Sequence, residues 1–124
     1  MSILDDFGAR QLGWQQERLY QLDELLRHAD PRLELRTAYQ LPYYYLGGSR
    51  LFFLNCPAHP GGPPLVQLGF SSGYLLVPIP GILVGEELKQ VRYLVWYEHC
   101  GHADELVLAL VQESILILEA SKLR

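Results

Sequence analysis

The chain has 124 residues, 49% of them hydrophobic and 19% charged, which is enough apolar material for one domain with a core and too little length for two. Ten lysines and arginines against 14 acids leave a net charge of −4, and that balance argues against a surface for nucleic acid or anionic membrane, either of which needs clustered positive charge. The same composition excludes a disordered tail or a fibrous repeat.

In chain order, an amphipathic helix is predicted over residues 9–29, with Leu12, Leu19, Leu22, Leu25 and Leu26 on one side and Gln15, Gln16, Arg18, Asp23, Glu24 and Arg27 elsewhere. Asp30-Pro31 ends it, because proline cannot donate to the helix and disfavours helical dihedrals in the residue before it. Short runs rich in Tyr, Phe and Leu follow at 35–39, 43–46, 50–55, 65–70 and 74–77, each bounded by Pro or Gly, the pattern of an antiparallel meander. Gly47-Gly48 reads as a hairpin turn, since both residues tolerate positive φ. Residues 57–64 hold four prolines and two glycines and read as an irregular loop. The longest strand is predicted over 88–97, where Val91, Tyr93, Val95 and Tyr97 alternate with Gln90, Arg92, Leu94 and Trp96.

A last helix is predicted over 103–122. Its apolar residues leave only a narrow stripe of Glu105, Gln112, Glu113 and Glu119, so it is expected to be buried on more than one side, against the first helix or a second copy of the chain. Charge is unevenly placed: both ends are acidic, and residues 51–85 contain no Asp, Glu, Lys or Arg. That middle is expected to be buried or adhesive, and a homodimer is expected through it or through the last helix. The fold class expected is α+β: an N-terminal helix, a mostly antiparallel sheet of five or six strands and a C-terminal helix packed on the sheet. It is read as one domain over 1–124 with its core at about 9–122. The first thirty residues carry Asp5, Asp6, Arg10, Glu17 and Arg18 and no long apolar run, so a cytoplasmic protein with neither signal peptide nor membrane span is expected, with Cys56 and Cys100 reduced.

Five stretches in order carry a resemblance. They are Glu34-Leu35-Arg36-Thr37-Ala38-Tyr39-Gln40-Leu41-Pro42-Tyr43-Tyr44; Leu51-Phe52-Phe53-Leu54-Asn55; Leu68-Gly69-Phe70-Ser71-Ser72-Gly73-Tyr74-Leu75-Leu76; Leu83-Val84-Gly85; and Lys89-Gln90-Val91-Arg92-Tyr93-Leu94. Together they resemble the YdhG-like family of small bacterial domains, over about residues 12–120. The resemblance implies a helix, an antiparallel sheet and a helix. Most members of that family have no assigned activity, and one branch is described as frataxin-like iron chaperones that deliver ferrous iron. Delivery of that kind uses exposed carboxylates, hard ligands that release a hard cation readily. In this chain Asp5, Asp6, Asp23, Glu24, Asp104, Glu105, Glu113 and Glu119 are spread out, with no run of three acids.

Three local constellations bear on chemistry. Cys56 and His59 in the proline-rich loop, with His99, Cys100 and His102 after the last strand, supply thiols and imidazoles for zinc or another metal if the two segments meet, but their spacing matches no standard zinc signature. The competing reading is a polar turn between strand and helix. Ser71 and Ser72 in Gly69-Phe70-Ser71-Ser72-Gly73 outwardly resemble a hydrolase elbow, yet that motif needs a helix after the serine and a strand is predicted here. Neighbouring His and Cys on a strand point to opposite faces, which disfavours a Cys nucleophile. The glycines at 69, 73, 81 and 85 match no phosphate loop. Finally, Tyr39, Tyr43, Tyr45, Phe53, Phe70 and Trp96, with Arg36 and Arg92, are candidates for an aromatic-lined groove that takes a small anionic ligand, against ordinary sheet packing. No full set of acid, base and nucleophile is legible. The expectation is a non-catalytic binding or carrier module without a cofactor. Iron delivery is the first alternative, and an enzyme built on the aromatic groove is the second.

Overall fold

The computed structural model describes residues 2–58 and 60–123. His59, one of the metal-ligand candidates, therefore lies outside the described residues. Three helices and five strands run in the order α1 (Ile3–Gly8), α2 (Gly13–Ala29), β1 (Glu34–Ala38), β2 (Leu41–Leu46), β3 (Ser49–Asn55), β4 (Val66–Phe70), β5 (Arg92–Trp96) and α3 (Asp104–Lys122). The strands form one antiparallel sheet in chain order, a five-stranded meander within an α+β fold, as the alternating runs require.

The helix expected over 9–29 begins four residues later, at Gly13, and a separate short helix, α1, which the sequence reading does not include, precedes it. Ser2 opens α1 with a capping box, its hydroxyl accepting from the Asp5 N–H at 3.0 Å and the Asp5 carboxylate accepting from the Ser2 N–H. The chain then breaks at residues 9–12 and restarts at Gly13. The Gln15 side chain accepts from the Leu12 N–H at 3.0 Å and donates to the Leu65 carbonyl at 3.0 Å, tying the start of α2 to the entry of β4. Gly8 permits the fold-back, since a Cβ there would sit 3.2 Å from the Gln16 side chain. The Tyr20 hydroxyl donates to the Asp5 carboxylate and secures α1 against α2. Asp30 ends α2, as Pro31 demands, and is held by Arg32, which also reaches Glu119 on α3.

Alternation along the strands decides what is buried. Tyr44, Phe52, Phe70, Leu54, Leu68, Leu94, Val66 and Trp96 share one face and pack with Leu19, Leu22 and Leu26 of α2 and with Val107, Leu110, Val111 and Ile115 of α3. The Tyr44 hydroxyl, in this core, donates to Asp23 at 2.7 Å, and the Arg27 guanidinium donates to the other oxygen of the same carboxylate. Burial first, then the hydrogen bond to Asp23, pushes the Tyr44 phenol well above its ordinary pKa.

Two strand predictions are corrected. Residues 74–77 are a 3-10 turn (Gly73–Leu75) followed by extended chain, because Gly73 abuts β5: a Cβ there would lie 2.6 Å from the Arg92 backbone nitrogen. The strand expected over 88–97 is shortened at its start to β5. Residues 86–90 are drawn into a turn whose carbonyls, with that of Gly85, collect around Arg92: its guanidinium donates to Gly85, Leu88 and Val91. Helix α3 fully buries one face, not several. Leu106, Leu108, Ile117 and Leu118 are half-buried and Leu116 is 67% exposed. Among the described residues no helix is long and apolar enough to cross a membrane.

The β2–β3 turn falls at Gly47-Gly48 as its glycines signal, whereas the β1–β2 turn falls at Tyr39-Gln40 instead of within 40–42, since β2 already begins at Leu41, and it uses no glycine. Gly47 turns β2 into β3 at φ +62, whereas the β1–β2 turn places Tyr39 at φ +53 and Gln40 at φ +65, the type I′ pattern built from residues that resist it. Left-handed backbone costs an L-residue about 1–2 kcal/mol. Replacing the pair with Asn-Gly (Y39N/Q40G) is expected to raise the unfolding free energy by about 1 kcal/mol in urea titration, and a loss of stability would show the conformation is unstrained.

Candidate functional site

The helices cover one face of the sheet and leave the other bare. The bare face carries Glu34, Arg36 and Ala38 from β1, Tyr43 and Tyr45 from β2, Arg50, Phe53 and Asn55 from β3, Gln67 and Gly69 from β4, and Tyr93 and Val95 from β5. Its rings form a connected row. Tyr39 lies 5.9 Å from Tyr43 and Tyr43 lies 5.2 Å from Phe53, centroid to centroid. The Phe53 ring continues over Gly69, where a Cβ would sit 2.0 Å from ring carbons, so only glycine lets Phe53 lie flat on β4.

Two guanidiniums stack on this row. Arg36 lies 5.2 Å above Tyr45 and Arg50 lies 4.9 Å above Tyr39 and 5.9 Å above Tyr43. Their electrostatic positions differ. Arg36 is neutralised by Glu34 at 2.8 Å, whereas Arg50 has no ion pair among the described residues. Arg50 reaches this face through a β-bulge: Tyr44 pairs with Phe52 but Tyr45 pairs with Arg50, leaving Leu51 as the extra residue. In unbroken register Arg50 would oppose Leu46 and point into the core. A hydrogen bond to the Tyr39 hydroxyl raises the guanidinium pKa further, and burial raises that of the Tyr43 phenol.

Beside this row, over β4 and β5, the bare face hollows into a groove of about 570 Å³. Gln67, Tyr93, Val95 and Tyr97 line it from the sheet, Pro57, Ala58 and Leu65 from the segment before β4, Gly81, Ile82 and Val84 from the segment after it, and Cys100, Gly101 and His102 from the turn before α3. His102 is set edge-on to Trp96, 5.1 Å between centroids, and it fits there because residue 101 lacks a Cβ, which would fall 2.1 Å from the indole. Burial lowers the His102 pKa, against a smaller opposing effect of its hydrogen bond with the Val95 backbone. A second depression, about 610 Å³, lies on the helical side between α2 and the start of α3. It is lined by Gln21, Glu24, Leu25, His28 and Asp104, with one apolar side chain among five.

Of the residues expected in an aromatic groove, Arg36, Tyr39, Tyr43 and Tyr45 come together on the bare face. Phe70 and Trp96 do not: register puts them on the opposite face, each 1% exposed beneath the helices. Arg92 is spent on the 85–91 carbonyls. Phe53, also expected in the groove, does lie beside Tyr43 on this face. Arg50 and Val95 are not singled out by sequence, and nothing local announces the bulge that turns Arg50 outward.

Of the metal candidates, Cys100 and His102 line the groove together, whereas Cys56 is not among its lining residues. His99 is 89% exposed at its side chain, 3.9 Å from Glu98. Among the described residues no three of His, Cys, Asp and Glu gather as a metal site. Both cysteines are free. Ser71 is tied by its N–H to the Leu51 carbonyl, and the turn after Ser72 is a single 3-10 turn, not the helix a nucleophile elbow requires.

No protein-family model, no curated protein and no solved structure matches the chain.

Two solution properties follow from this geometry. Burial pushes the Cys56 thiol up to about 12, while Cys100 is exposed. Native protein at pH 7.5 is therefore expected to take up one equivalent of iodoacetamide, at the exposed Cys100, and a second only on unfolding; peptide mapping that finds Cys56 alkylated first would contradict this. For His102 the sign is that of a base kept neutral by folding. Its stabilisation is complete above the ordinary pKa of 6.5 and declines as pH falls through that value, because the unfolded chain then takes up the proton more readily. The urea midpoint is expected to drop between pH 7 and about 5, by less in His102→Gln.

Proposed function

We propose that the protein is a small binding or carrier module of the YdhG-like type, working in the cytoplasm without chemistry of its own, and that its ligand is a small molecule received on the bare face of the sheet. The observation that carries this reading is the groove of about 570 Å³ over β4 and β5. Its volume falls within the range of roughly 300–1,000 Å³ typical of small-molecule sites. Its lining is mainly apolar, with a few polar groups, the Gln67 amide, the Tyr93 and Tyr97 hydroxyls and the His102 ring, to orient a ligand. The order of helix, antiparallel sheet and helix supports the family reading.

Ferrous iron as cargo has less to stand on. Asp5 is held by Tyr20, Asp23 by Tyr44 and Arg27, Asp30 and Glu119 by Arg32, and Glu34 by Arg36, so these carboxylates already have partners. The test uses Nile red, a neutral apolar dye. Saturable binding near one equivalent is expected, weakened about tenfold or more by Ala58→Trp, which fills the groove from its exposed rim. Dye binding unaffected by that substitution would remove the groove from the account. Tight anaerobic ferrous iron binding in a protein that ignores the dye would move the assignment to iron delivery.

A further inference from the structure

The strained β1–β2 turn and the re-aimed Arg50 are two separate departures from regular sheet, and both serve one place. Tyr39 and Gln40 hold positive φ without glycine, and both are exposed, Tyr39 at 71%, so burial does not repay the strain. What the turn achieves is to bring the Tyr39 ring to 5.9 Å from Tyr43 and beneath the guanidinium of Arg50 at 4.9 Å. The bulge at Leu51 supplies that guanidinium, which regular pairing would have buried opposite Leu46. Arg27, Arg32 and Arg36 each sit on a carboxylate, yet Arg50 has none among the described residues, and the acid nearest along this face, Glu34, is taken by Arg36. Arg50 lies over the Tyr39 ring and hydrogen-bonds its hydroxyl, and the planar guanidinium carries five N–H donors, so donors remain for a carboxylate to meet two of them in parallel. An exposed tyrosine ring beside it offers a surface for a second ring.

We propose that Tyr39, Tyr43 and Arg50 form a binding site for a small aromatic carboxylate, the acid group accepting from Arg50 and the ring lying against Tyr39. The site shares no lining residue with the groove over β4 and β5 and does not depend on it. Strain in the turn is then the cost of presenting Tyr39, and relieving it should stabilise the protein while weakening the site.

Benzoate, benzyl alcohol and acetate are titrated into the full chain, observing the Arg50 side-chain N–H and the Tyr39 ring by NMR. Benzoate is expected to saturate both signals at least tenfold more tightly than either the neutral or the ringless control. Arg50→Lys, which keeps the charge but loses the planar fork, is expected to weaken benzoate about tenfold. The Y39N/Q40G variant is expected to melt at a higher temperature than the parent yet bind benzoate about tenfold more weakly, a combination that a purely structural turn would not produce. Ala58→Trp, which blocks the groove, should leave benzoate binding unchanged. Equal response to benzoate and benzyl alcohol, or undiminished benzoate binding by Arg50→Lys, would overturn the proposal.

Discussion

In a pleated strand neighbouring side chains stand on opposite faces, and the helices of this chain cover only one face of its sheet. Everything functional here descends from that one-sided cover. Tyr43, Tyr44 and Tyr45 are chemically identical neighbours, yet Tyr44 is 1% exposed with its hydroxyl on Asp23, while Tyr43 and Tyr45 stand on the bare side stacked with Phe53 and Arg36. Phe52 and Phe53 divide in the same way, one edge-on to Phe70 in the core and one lying over Gly69. An aromatic-rich centre without formal charge can thus be both core and surface, according to parity alone. A one-residue slip of β2 would bury Tyr43 and Tyr45 and expose Tyr44, which is why the buried bond from Tyr44 to Asp23 matters for register as well as stability.

Glycines and one bulge modify the rule at the points where function would use it. Gly69 lets the Phe53 ring lie on the sheet instead of standing up from it, so the bare face stays low between the tyrosine row and the groove. Gly101 lets His102 close against Trp96, turning the end of β5 into a wall of the groove. Gly73 brings the 3-10 turn hard against Arg92 and so sets where β5 begins. For Gly69 and Gly73 the missing Cβ is a packing requirement between elements distant in sequence, against Phe53 and Arg92, and only for Gly101 is the partner, Trp96, close along the chain.

This division between local and distant causes explains how much could be read from the sequence. The stop at Pro31, the Gly47-Gly48 turn and the proline-rich loop are dictated by backbone chemistry within a few residues, and they lie where that chemistry puts them. The short helix α1 also rests on local chemistry, the Ser2–Asp5 capping box, although the leucine periodicity from Leu12 onward points only to α2. By contrast, residues 88–91 alternate as a strand should, and only the Arg92 guanidinium gathering their carbonyls shows why they curl. Phe70 and Trp96 were expected beside the tyrosines because aromatic residues in one sheet look equivalent in sequence. Their faces depend on register across three further strands, which no local pattern specifies.

Charge adds a direction to the bare face. Most acids lie on the helices, where Asp5, Asp23, Asp30 and Glu119 are held by tyrosine or arginine partners, and the stretch from Leu51 to Gly85 contributes no formal charge at all. With a screening length of about 8 Å at physiological ionic strength, a ligand above the sheet responds chiefly to the groups on that face. On the described strands these are Glu34 and Arg36, which cancel, and Arg50, which is not cancelled. A molecule with one anionic end and an apolar body therefore meets its only unbalanced attraction on that face at β3, while the apolar hollow lies over β4 and β5. The net charge of −4 conceals this, because it sums over a helical side that such a ligand never touches.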